Sequence, residues 1–232
     1  MREQTGGAEN LGARESAIDL APLIDHTLLR PDAGENDVRK LCAEARTHHL
    51  HSVCINPVYV ALAARELAGT GVAISAVVGF PLGASLGAIK AAEAQAALAD
   101  GARELDMVLD LGALKDGYFA QVSADIARVR RAAEGAVLKV ILETGLLTEG
   151  EKTLAAELAL GAGADFVKTS TGFLGTGATV ADVALLRRVV GSDAGVKASG
   201  GIRTRDQALA LVAAGASRLG TSASLTLIGA AG

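Results

Sequence analysis

Four charged residues sit inside apolar runs that read as buried strands. Lys168 lies in Asp165-Phe-Val-Lys-Thr-Ser-Thr-Gly172, where Phe166 and Val167 open the run after the turn signal at Gly161 and Gly163. Lys197 lies in Val196-Lys-Ala-Ser199, Lys139 in Leu138-Lys-Val-Ile-Leu-Glu143, and Asp106 in Glu104-Leu-Asp-Met-Val108. An ammonium group in such a strand is costly unless it is paired or neutral. One reading is structural: a paired cation, or a side chain that snorkels out to water. The other is chemical: a desolvated amine that attacks a carbonyl and forms a Schiff base. An unperturbed lysine titrates near ~10.4, and repulsion among three clustered lysines favours the neutral amine such a nucleophile needs. The pattern does not say which lysine reacts. For Lys139 a structural ion pair stands beside the catalytic reading.

Two glycine-rich turns could hold a phosphate. Ser199-Gly-Gly-Ile-Arg203 follows Lys197, and Arg218-Leu-Gly-Thr-Ser222 closes the last apolar run. Backbone N–H groups of these two turns, with a helix start nearby, suit an anion, and Thr169 and Arg203 are grouped with them. The alternative is tight turns that need glycine. Asp25 and Thr27 end the first strand and could line a pocket, although Asp25 could equally cap a turn. Cys54 could reach the same pocket or simply fill core, whereas Cys42 reads as structural. Glu143 and Thr144 could orient a neighbouring lysine. His48, His49 and His51 fit a helix C-terminus better than a metal site, because no carboxylate falls at ligand spacing. No metal and no cofactor is expected, the covalent imine being the electron sink.

The elements that must position these residues alternate. Short apolar runs start near Asp25, Ser52, Val72, Glu104, Leu138, Phe166, Val196 and Arg218. Helical patterns fall between them, at about residues 35–48, 57–67, 86–99, 118–133, 148–160, 180–190 and 205–214. Residues 16–24 read as a short amphipathic segment and the last residues as an apolar tail. Eight such units without a long linker predict an α/β fold closed into a (β/α)8 barrel, in which strand carboxyl ends converge on one pocket. A doubly wound open sheet is the runner-up, weakened by the lack of a Gly-x-Gly-x-x-Gly fingerprint after the first strand. Residues 1–15 are polar, with no apolar period, and read as a flexible arm ahead of a single catalytic barrel over residues 16–232.

Composition narrows the partners. The 232-residue chain is 50% hydrophobic, enough for one large core, and carries a formal net charge of -4 with no block of like charge. Aromatic residues make up 3% and tryptophan is absent, which leaves little to stack on bases; nucleic acid is not an expected partner. Two cysteines without metal spacing, and no secretory or membrane-length apolar stretch, predict a reduced, cytoplasmic protein with no membrane partner. A homo-oligomer, dimer or tetramer, is expected.

Together the motifs resemble the deoxyribose-phosphate aldolase family, class I (Schiff-base) aldolases with a (β/α)8 barrel. The resemblance spans about residues 22–223 and rests on Ile24-Asp-His-Thr-Leu-Leu29, Ser52-Val-Cys-Ile-Asn-Pro57, Val78-Gly-Phe-Pro-Leu-Gly83 and the four strands quoted above, above all Lys-Thr-Ser-Thr-Gly and Lys-Ala-Ser-Gly-Gly-Ile-Arg. It implies reversible cleavage of 2-deoxy-D-ribose 5-phosphate to D-glyceraldehyde 3-phosphate and acetaldehyde, in deoxyribose phosphate catabolism. It implies that Lys168 forms the imine, that Lys197 tunes it, that Asp106 relays protons, and that Gly200, Gly201, Gly220 and Ser222 hold the phosphate. Two departures stand out. Phe173 occupies a position where some members carry a basic residue, and the chain ends without the tyrosine tail that some members have. Outside this family, an acid–base sugar-phosphate isomerase or a non-catalytic sugar-phosphate-binding barrel would suit the same turns.

Overall fold

The computed structural model describes residues 18–230. The arm expected over residues 1–15, and the start of the expected amphipathic segment, lie outside the described residues. Within them, eight parallel strands close in sequence order into a barrel, the predicted (β/α)8 architecture. The strands are β1 (Ile24–Leu28), β2 (Ser52–Ile55), β3 (Ala73–Val78), β4 (Glu104–Val108), β5 (Val137–Ile141), β6 (Phe166–Lys168), β7 (Gly195–Ser199) and β8 (Arg218–Thr221). The helices of the outer ring are α1 (Glu35–Thr47), α2 (Val60–Glu66), α3 (Gly87–Ala99), α4 (Leu111–Lys115), α5 (Phe119–Ala132), α6 (Glu149–Gly161), α7 (Val180–Val190), α8 (Arg205–Ala213) and α9 (Ser224–Leu227).

Local chemistry accounts for most of these boundaries. Thr148 and Glu151 form the capping box that starts α6, and Thr204 with Gln207 repeats it at α8. Pro57 opens a 3-10 turn before α2, its fixed φ suiting the entry to a helix. The helix face of Val38, Leu41, Cys42 and Ala45 is buried as the spacing predicts. Two short helices differ from expectation. α4 lies in the connection after β4, started by the Asp110 side chain accepting from Ala113 N at 3.0 Å. α9 replaces the expected apolar tail. Each is barely more than one turn, too short for a 3.6-residue period to register.

The core between barrel and helices is mainly apolar, with charged ties set into it. Lys90 of α3 is fully buried, donating to Asp125 of α5 at 2.6 Å and to the Val108 carbonyl at 3.0 Å. Among the described residues no helix is long and apolar enough to cross a membrane.

Candidate active site

Parallel register and the two-residue alternation of strands place the chemistry. Lys168 pairs with Lys197 across β6 and β7, and Asp106 with Lys139 across β4 and β5. All four side chains meet inside the barrel. Asp106 Oδ2 accepts from Lys168 Nζ and from Lys197 Nζ, both at 2.7 Å, while Oδ1 accepts from Lys139 Nζ at 2.7 Å and from the Ser75 hydroxyl at 3.0 Å. Asp25 joins from β1. Its Oδ2 accepts from Lys197, and its Oδ1 accepts from Ser52 at 2.7 Å and from Arg218 at 3.0 Å. Glu104 lies one layer deeper, with Oε2 2.6 Å from Lys139 Nζ and 3.3 Å from Arg218.

This ionic layer corrects the expectation that repulsion keeps the lysines neutral. Burial alone would pull Lys197 down, but Asp106 and Asp25 lift it above its ordinary value. Lys139 is likewise raised, burial being outweighed chiefly by Asp106. Burial would push the Asp106 carboxyl up, yet Lys139, Lys168 and Lys197 hold it well below the usual carboxylate range. Glu104 falls to about 2, its burial offset by the His51 hydrogen bond and by Lys139. Three buried carboxylates are the partners that lysine spacing could not show.

The three lysines are not equivalent. Lys139 and Lys197 have no exposure, and within 4 Å Lys197 meets two carboxylates and Lys139 three. Among the described carboxylates Lys168 meets only Asp106 within that distance, and it lines a cavity of about 390 Å³ at the carboxyl ends of the strands. Thr27, Gly200, Gly201, Arg203, Gly220 and Ser222 line it too. Asp25, Cys54 and Lys139 do not. They lie buried beneath the cavity floor, where burial pushes the Cys54 thiol up.

Thr169 needs correction. It is fully buried, its hydroxyl donating to the Ser199 carbonyl at 3.1 Å and accepting from Ser199 N at 3.0 Å. It follows Lys168 by one residue, so strand alternation turns it away from the cavity and into the tie between β6 and β7. Thr171 lines the cavity instead, with Phe173 beside it, half-exposed and edge-on to Phe80 at 5.2 Å.

The glycine turns are set by close approach. A Cβ on Gly177, whose φ is +73°, would lie 2.4 Å from the Gly200 carbonyl oxygen, and one on Gly220 would meet Lys197 Cε and Ser199 Cβ at 3.0 Å. The start of α8 contributes less than expected, because Gln207 Oε1 already accepts from the N–H groups of Arg203 and Thr204.

Two other constellations fail as reactive sites. The ligand atoms of Asp25, His51 and Glu104 come within 4.8 Å of one another, although sequence spacing gave the histidines no such partner. Lys139 and Arg218 already occupy those carboxylates, and a metal ion there would have to displace both. Ser224, His26 and Glu44 form a chain of 2.8 Å contacts like a nucleophile, base and orienter. Ser224 is sealed from solvent, and burial holds His26 below its ordinary value despite Glu44, so the set ties α9 and α1 to β1. A wider depression of about 740 Å³ beside Asp165 and residues 130–137 opens at the opposite end of β5, where Arg130 is already spent on Asp165 and two carbonyls.

An amine at the mouth of an ionic layer, a shared carboxylate and a glycine-lined cavity fit an imine-forming enzyme. A family profile described as DeoC/LacD family aldolase matches residues 20–229. The chain belongs to this aldolase family. It is 57% identical over 228 residues to the deoxyribose-phosphate aldolase of Rhodospirillum rubrum, covering 98% of this chain and 94% of that one. It is 55% identical over 211 residues to the deoxyribose-phosphate aldolase of Brevibacillus brevis, covering 91% and 96%. Among solved structures it superposes on the deoxyribose-phosphate aldolase from Aeropyrum pernix, described as a unique tetramer, with TM-score 0.86, 38% identity and coverage of 96% and 94%. The DeoC/LacD aldolase is a lyase, and carbon–carbon bond chemistry is the task its cavity must serve.

Proposed function

We propose that this aldolase cleaves 2-deoxy-D-ribose 5-phosphate reversibly to D-glyceraldehyde 3-phosphate and acetaldehyde through an imine on Lys168. The carrying observation is that, of the three clustered lysines, only Lys168 reaches the cavity, and it is the least neutralised by carboxylates. In the cleavage direction the Lys168 amine attacks the open-chain aldehyde carbon, and the carbinolamine loses water to give the protonated imine. The bond between the second and third carbons then breaks. Its electron pair enters the imine to form an enamine, and the proton of the third carbon's hydroxyl leaves as the new aldehyde forms. Protonation of the enamine and hydrolysis release acetaldehyde. Each step moves a proton, and the hydrogen bonds that Asp106 Oδ2 accepts from both Lys168 and Lys197 support a relay between them. The protonated imine takes up the electron pair, so no metal is required. The phosphate end would lie against Gly200, Gly201, Gly220 and Ser222, with Arg203 at the rim.

Borohydride reduction with acetaldehyde or substrate tests the assignment. The expected product is a reduced adduct on the peptide bearing Lys168, absent from Lys168→Arg together with nearly all turnover, because a guanidinium keeps charge but forms no imine. An adduct that persists in Lys168→Arg and vanishes in Lys197→Arg reverses the roles. Intact cleavage without any adduct removes the imine from the reading.

A further inference from the structure

Glu143 has three features that the imine chemistry of Lys168 and Asp106 leaves unused. Its backbone is left-handed at φ 57°, a conformation shared among the described non-glycine residues only with His49. Such strain persists where the surroundings over-determine it, often beside a functional site. Its side chain is buried at the end of β5, yet Oε1 has no hydrogen-bond partner among the described residues. Its other oxygen, Oε2, accepts from the Thr171 N–H at 3.2 Å and from the Thr171 hydroxyl. Thr171 lines the cavity together with Lys168.

A threonine hydroxyl has one proton and two lone pairs. The proton of Thr171 goes to Glu143, and one lone pair takes the Phe173 N–H at 3.0 Å. What remains for the cavity is a lone pair. We propose that Glu143 is a positioning residue that, by holding the Thr171 proton, makes Thr171 face the cavity as an acceptor and so selects and orients the substrate hydroxyl whose carbon becomes the new aldehyde. The proposal rests on the imine at Lys168. An acceptor suits this step, since that hydroxyl must give up its proton as the carbon–carbon bond breaks. A donor there would bind a carbonyl oxygen and favour the wrong end of the reaction.

Titration gives a readout that a merely structural role would not move. Burial pushes the Glu143 carboxyl up against the pull of its Thr171 hydrogen bonds and of Lys168, the charged group acting on it. Asp25, Glu104 and Asp106 are all shifted the other way. On acidification Glu143 therefore gains a proton before they do, and a protonated Glu143 can donate to Thr171 and free its hydroxyl to turn.

Glu143→Leu removes the acceptor. It is expected to lower kcat/KM for deoxyribose 5-phosphate cleavage about 10–100-fold, the cost of a misdirected polar contact. Borohydride trapping of acetaldehyde, which has no hydroxyl, is expected to run at the wild-type rate. Glu143→Gln keeps an oxygen acceptor but cannot ionise. It is expected to retain cleavage near wild type at neutral pH and to lose the acid limb of the wild-type kcat/KM profile. Equal loss in cleavage and trapping, no loss in either, or an unchanged acid limb in the Gln variant overturns the proposal. If the Leu variant does not fold, the Gln profile decides alone. Wild-type trapping is the control: its absence removes the imine reading itself, whereas its presence with any of those results removes only the role of Glu143.

Discussion

Asp106 accepts from three lysine Nζ atoms at once, each at 2.7 Å, with both oxygens used. A carboxylate so placed has two duties: it neutralises a layer that would otherwise repel itself, and among the described carboxylates it is the one that touches both Lys168 and Lys197. Asp106→Asn keeps the shape but removes the charge and the proton acceptor. It is expected to lower kcat about 10²–10⁴-fold, the usual worth of a general acid–base group, while borohydride still traps an adduct on Lys168. Lys197→Arg is expected to behave alike, since it keeps a cation and loses a titratable one. Steady-state kinetics beside trapping checks both, and an Asp106→Asn enzyme with near wild-type kcat would remove the relay. These residues were legible because a charge inside an apolar run is conspicuous. Arg218, Glu104 and Thr171 were not. Arg218 and Glu104 sit at strand starts, where charge is unremarkable, and the Arg218–Asp25 contact joins residues 193 apart in sequence. Only barrel closure makes that pair, which is also why lysine repulsion was legible and its neutralisation was not.

At the scale of the element, periodicity and capping carried most of the information. Thr148 with Glu151 marks the start of α6 in sequence as in structure, because a capping box is local chemistry. Thr169 shows the limit. Its type suits a ligand contact, but whether it faces the cavity depends on register, and one residue decides the face. The turns after β7 and β8 were legible through their glycines: Gly200 and Gly201 hold left-handed φ of +87° and +75°, and a Cβ on Gly220 would meet the Lys197 and Ser199 side chains at 3.0 Å. Both turns line the cavity, as do Arg30 and Arg203, while Phe173 supplies no charge there, so a phosphate preference is expected to draw on backbone N–H groups with those guanidinium groups beside them. Ser222→Asp places a negative charge beside that lining. It is expected to raise KM for deoxyribose 5-phosphate far more than for unphosphorylated deoxyribose, in paired saturation curves. Equal rises for both sugars would place the phosphate elsewhere.

For the whole molecule, the consequence of this design is a barrel whose centre is ionic rather than apolar. Asp25, Glu104 and Asp106 all have depressed carboxyls, and all are buried. A carboxylate depressed in the fold contributes stability that is present above its unfolded pKa, near ~4, and is lost as pH falls through its folded value. For Glu104 that value is about 2, and the lysines hold Asp106 and, with Arg218, Asp25 below the usual carboxylate range as well. His26, lowered by burial, begins to cost stability earlier on the same descent, while Glu143, raised in the fold, works in the opposite sense. For Glu104 the loss therefore falls between about pH 4 and 2, and the two aspartates lose their contribution in the same direction as pH falls. Lys139 is the cation that touches both Glu104 and Asp106, at 2.6 and 2.7 Å. Lys139→Met leaves these carboxylates under-compensated in a buried layer. Breaking such a pair on one side costs about 3–5 kcal/mol, a large share of a typical domain's stability of about 5–15 kcal/mol. The variant is expected to unfold at lower urea concentration at neutral pH, and its acid transition should move to higher pH, because both carboxyls titrate closer to their unfolded values. Far-UV circular dichroism is the appropriate probe, since the chain has no tryptophan. A variant as stable as wild type in urea, with an unmoved acid midpoint, would mean that Arg218 and the remaining lysines hold the layer without Lys139.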